Sequence, residues 1–112
     1  MRETYAAYAA REKENYIKML KKLISIPAPS YRELGIGEMI QDFLQEEAKK
    51  NGYTEANIFM DDIYNVYCEI GRDFDRDGAC RAVTAHTDTV FPDCDGRLPV
   101  KEEAGRIYGL GA

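Results

Sequence analysis

Hydrophobic spacing changes period once along the chain, at Asn51-Gly52, and this limits the fold to helices followed by strands. Before that point the spacing is helical. From about Tyr5 to Ser25, Tyr16, Leu20 and Leu23 share a face with Ile17 and Ile24, while Lys18, Lys21 and Lys22 cover the other. Ile26-Pro27-Ala28-Pro29 stops this helix, because proline disfavours the α conformation in the residue before it. Ser30-Tyr31-Arg32-Glu33 then has the form of a capping box, with Ser30 capping the next helix and Glu33 reaching back. That second helix is expected to run to about Asn51 and to bury Ile36, Ile40, Phe43 and Leu44. Gly35 and Gly37 weaken its first turns, and Asn51-Gly52 ends it.

After Gly52 the period is two. Ala56 to Met60, Asn65 to Ile70 and Arg81 to Thr87 read as short strands, with turns at Asp61-Asp62 and from Gly71 to Gly78. Leu98 to Lys101 and Arg106 to Tyr108 read as a hairpin around Glu102 to Gly105. Ala82-Val83-Thr84-Ala85 is small or apolar throughout, as expected of a strand covered on both faces. The expected class is therefore α/β, two amino-terminal helices followed by strands of a mixed sheet, within a single domain of 112 residues. Gly109-Leu110-Gly111-Ala112 is a glycine turn of the kind that leads into further structure, so the chain is expected to be the amino-terminal portion of that domain.

Charge and composition exclude several functions. Fifteen Lys and Arg against twenty Asp and Glu give a net charge of −5, with the signs mixed. No basic stripe suits nucleic acid or an anionic membrane surface. The amino terminus lacks the apolar core of a signal peptide, and no apolar run is long enough to span a bilayer. Cys68, Cys80 and Cys94 are odd in number and lack C-x-x-C spacing, which suits reduced thiols in a cytoplasmic protein.

The chemistry concentrates in Ala85-His86-Thr87-Asp88-Thr89-Val90, where the chain's one histidine lies two residues from a carboxylate. Alternate residues of a strand share a face, so His86 and Asp88 should emerge side by side at the strand's end. A carboxylate beside an imidazole fixes its tautomer, raises its basicity and aims the free nitrogen at a metal. The same spacing also fits a strand-end histidine bonded to a nearby acid with no metal.

Other candidates weigh less. Asp73-Phe74-Asp75-Arg76-Asp77-Gly78 matches the opening of an EF-hand loop, but Thr84 stands where the bidentate glutamate should be. An acidic hairpin turn with Gly78 in a left-handed conformation fits better. Gly109-Leu110-Gly111 lacks the third glycine of a nucleotide loop. Cys94, between Asp93 and Asp95, reads as a loop cysteine, and Tyr5, Tyr8 and Tyr16 read as helix-packing residues.

Ala85-His86-Thr87-Asp88-Thr89-Val90-Phe91-Pro92 resembles the first metal-ligand motif of a co-catalytic zinc hydrolase family. That family includes acetylornithine deacetylase, succinyl-diaminopimelate desuccinylase, aminoacylase, carboxypeptidase G and peptidase T. Further similar segments follow in the right order: Leu23 to Ser30 with Glu33, Asn65-Val66, and Lys101 to Ala112, so that the resemblance spans roughly Tyr16 to Ala112. It implies that the chain is an incomplete part of a zinc-peptidase catalytic domain. His86 matches the histidine that binds one of two zincs, and Asp88 matches the catalytic-site carboxylate that clamps that imidazole. Cobalt or manganese would also suit such ligands. Gly109 and Gly111 match the turn before the family's bridging aspartate, and neither that aspartate nor the general-base glutamate occurs in the sequence.

The implied substrates are peptides or N-acyl amino acids, with aminopeptidase, carboxypeptidase, dipeptidase and deacylase activities all open. The complete protein is compatible with a homodimer. One ligand out of a needed three should bind zinc weakly, so this chain alone is expected to be inactive. The rival reading is a small non-catalytic α/β binding or interaction module that keeps a family-like framework.

Overall fold

A computed structural model describes residues 2–71, 80–89 and 98–110. Its elements run α1 (Tyr5–Ile24), α2 (Leu34–Lys50), β1 (Asn57–Met60), β2 (Val66–Glu69), β3 (Lys101–Glu103) and β4 (Arg106–Tyr108). They fall into two compact units, one of residues 2–27 and 98–110, the other of residues 28–71 and 80–89. Two helices with small antiparallel sheets make this a general α/β arrangement.

In the first unit α1 begins where Thr4, in an extended conformation, accepts the Ala7 amide on its hydroxyl at 3.2 Å. Lys21 and Lys22 occupy its last turn, where the macrodipole favours positive charge. Ser25 closes it by donating to the Lys22 carbonyl at 2.7 Å. Ile24 and Leu98 are buried, and the Leu98 amide donates to the Ser25 carbonyl at 2.7 Å. Gly109 packs so closely on Ile24 that a β-carbon there would lie 2.7 Å from its Cδ1. The expected hairpin forms with a shorter first arm and a tighter turn. β3 and β4 pair antiparallel through Glu102 and Ile107, and Ala104 and Gly105, both at positive φ, make a two-residue loop of type I′ form.

Tyr5, Tyr8 and Tyr16 are exposed, correcting their expected packing role. Leu20 is exposed with them. Within α1, Ile24 is the buried residue, so the helix buries a narrower stripe than its pattern indicates.

The second unit is built on α2. Its stop follows the sequence closely. Gly52 takes φ 73°, its amide donates to the Lys49 carbonyl, and the Tyr53 amide donates to the Ala48 carbonyl at 2.9 Å, a Schellman closure. The start differs. Glu33 is the N-cap and makes no side-chain capping bond, so the Ser30–Glu33 capping box does not form. Ile36 and Gly37 are buried, Ile40 and Leu44 are half-buried, and Phe43 is exposed. A β-carbon on Gly37 would meet Met60 Sδ at 2.8 Å, so the glycine that weakens the helix is what lets β1 approach it.

β1 and β2 pair antiparallel in the register Asn57↔Glu69 to Met60↔Val66, with Phe59 and Tyr67 stacked at 4.8 Å. One carboxylate organises their turn. Asp61 accepts the Ile63 and Asn65 amides, the Asn65 side-chain amide and the Tyr67 hydroxyl at 2.9–3.2 Å. These bonds, led by that of the Asn65 side chain, hold its carboxyl below the ordinary value.

Two expectations about the sheet are corrected. Among the described residues all strand pairs are antiparallel, in two separate two-stranded sheets, so no mixed sheet is present there. Arg81–Thr87 is not a strand. Residues 80–89 carry no regular structure, and Val83 is 99 % exposed instead of covered on both faces. An apolar strand buried on both faces needs neighbours on either side, and this segment pairs with none of the described strands. Among the described residues, no helix is long and apolar enough to cross a membrane.

Candidate functional site

His86 and Asp88 meet without a strand to align them. His86 Nδ1 lies 3.1 Å from Asp88 Oδ1 and 3.0 Å from the Asp88 backbone carbonyl. Both neighbours are acceptors, so Nδ1 donates to them, and the tautomer that does so in a neutral ring has its lone pair on Nε2. The imidazole side chain is 87 % exposed, which leaves Nε2 accessible to a ligand.

Asp88 is fixed from its other side as well. Ser30 Oγ donates to Asp88 Oδ2 at 2.8 Å, across 58 positions of sequence. Each carboxylate oxygen therefore has its own partner, one an imidazole and one a hydroxyl. The Ser30 bond is the main reason the Asp88 carboxyl lies below its ordinary value; the His86 charge acts in the same direction, and desolvation opposes both. A second tie runs beside it, from the Thr89 amide to the Ala28 carbonyl at 2.7 Å. Pro29 and Arg32 close a turn under Ser30, with Tyr31 at φ 72°.

The two predicted site residues are thus brought together, and a third, Ser30, joins them. Sequence reasoning assigned Ser30 to a helix cap. The S-x-x-E pattern gave no sign of its distant acceptor, and a contact between residues this far apart has no periodic signature.

Among the described residues, no group of three or more His, Cys, Asp or Glu side chains could hold a metal ion. Cys68 and Cys80 are exposed free thiols. The EF-hand-like residues 73–78, the segment Val90-Phe91-Pro92, Cys94 with its neighbouring aspartates, and Gly111-Ala112 lie outside the described residues. No family model matches the chain, and no solved structure matches it.

Proposed function

We propose that this chain is the amino-terminal part of the catalytic domain of a zinc-dependent hydrolase of peptide or N-acyl amide bonds. In this reading His86 is one metal ligand and Asp88 holds it in place. The observation that carries the reading is His86 Nδ1 held against Asp88 in an exposed ring, an arrangement that leaves Nε2 open as in a metal-ligating imidazole. The likeness of the segment from Ala85 to Pro92 to a metal-ligand motif gives that geometry its chemical meaning.

The donor set fits one corner of such a centre. Imidazole suits zinc, cobalt or manganese, whereas both oxygens of Asp88 are already engaged. When bound, paired zincs polarise a scissile carbonyl and lower the pKa of a shared water. The described residues do not complete the coordination, so no catalytic step is assigned to them. The other ligands and the general base come from outside these residues. A cytoplasmic setting agrees with the exposed thiols of Cys68 and Cys80.

Zinc titrated into the protein, followed through the NMR signals of its single histidine, tests the reading. Binding is expected to be weak and reversed by chelator, to act first on His86 Nε2, and to disappear in His86→Ala. Zinc that leaves the His86 ring signals unmoved would overturn the assignment. A sharp, zinc-independent melt of a monomer would then favour the non-catalytic module.

A further inference from the structure

We infer that Ser30 is a positioning residue for the His86 imidazole, acting through Asp88 as the third member of a hydroxyl–carboxylate–imidazole chain. The inference rests on the proposed metal-ligand role of His86 and extends it to a residue on a different part of the fold.

Three observations carry it. The first is the division of labour on Asp88, where Oδ2 takes the Ser30 hydroxyl at 2.8 Å and Oδ1 takes the ring nitrogen at 3.1 Å. With Oδ2 tied down, rotation of the carboxylate away from the ring breaks a bond. The second is that Ser30 has no capping duty, because α2 is capped at Glu33 and the hydroxyl is spent on Asp88 instead. The third is the backbone around it. Ala28 accepts the Thr89 amide at 2.7 Å, Pro29 accepts the Arg32 amide at 2.9 Å, and Tyr31 takes a left-handed conformation that non-glycine residues seldom adopt. A strained residue beside a tight turn is held by surrounding structure, and here that structure presents Ser30 to Asp88.

The segment bearing His86 has no ladder to stiffen it. Orientation of the ring must come from side-chain bonds, and hydrogen-bonded partners of a ligating histidine fix its tautomer and direction. Without Ser30 the exposed carboxylate would sample other rotamers, and the ring would spend time as the Nε2–H tautomer favoured by free imidazole. That form cannot ligate through Nε2.

The test is nitrogen-15 NMR of the His86 ring in metal-free wild type, Ser30→Ala, Ser30→Thr and Asp88→Asn at one fixed neutral pH, with amide spectra confirming the fold. Wild type and Ser30→Thr should show the Nδ1–H tautomer. Ser30→Ala and Asp88→Asn should both shift toward a mixture with Nε2–H. Zinc affinity of Ser30→Ala should fall roughly tenfold, the lower end of what loss of such a partner costs. A Ser30→Ala ring identical to wild type, with unchanged zinc affinity, overturns the inference and leaves the metal reading standing. A tautomer shift in Ser30→Ala with no zinc response in wild type supports the positioning role and removes the metal reading.

Discussion

Two stretches of the second unit have strand-like sequences, and only one becomes a sheet. Residues 57–69 fold into the β1–β2 hairpin, while residues 80–89 carry no ladder although Ala82 to Ala85 read as a covered strand. The difference lies in where each finds its partner. The hairpin closes over a short loop whose bonds converge on Asp61, so its pairing costs little chain entropy. The face of α2 around Gly37 then gives it a surface to cover. The later segment has no such local closure. It is fixed instead at its far end, where Asp88 accepts from Ser30 and the Thr89 amide donates to the Ala28 carbonyl. Apolar composition marks a segment as fit for a strand, but a pairing partner is what makes it one.

Three substitutions probe this contrast. The largest effect is expected for Ile36→Ala, which removes a buried side chain from α2, the helix that the hairpin packs against. It should lower unfolding free energy by about 2–5 kcal/mol, read from urea denaturation. A loss below half a kilocalorie would mean that the hairpin does not depend on α2.

An intermediate effect is expected for Asp61→Asn, with a pH signature. The folded carboxyl lies below its ordinary value, so its stabilising effect is complete above that value and is lost as pH falls through the lowered one. Wild-type hairpin amides should therefore lose protection at the acid end of the carboxylate range. Asp61→Asn should exchange faster at neutral pH and lack that acid step. Identical pH profiles would show that the turn is held by something other than this charge.

The smallest effect belongs to Val83→Lys. At 99 % exposure, Val83 should tolerate a charge with a change within about 0.5 kcal/mol. Destabilisation by several times that amount would show that residues 80–89 are covered in solution, as their sequence pattern suggests.

Much of the local structure was legible from residues alone. Both helices, the Asn51-Gly52 stop, the β1–β2 hairpin and the second hairpin follow from spacing and turn chemistry, and the structure has each within a few residues. The proximity of His86 and Asp88 was also legible, since two residues of separation keep them close in most conformations. What failed was everything that required knowing a distant neighbour. The capping box at Ser30 was overridden by a carboxylate 58 positions away, and the tyrosine face of α1 and the strand at 81–87 lack the cover their patterns imply.

The sequence by itself determined that two helices form and where each stops, which short turns close, and that a histidine would sit beside an acid. These are matters of a few bonds along the chain, where the entropy of meeting is small. Tertiary structure alone decided which strand-like segment acquires a ladder, which glycine is a close contact, and that Ser30 grips Asp88. Each of those depends on groups that chain connectivity leaves far apart, and their meeting is settled only when the whole set of competing contacts is resolved at once.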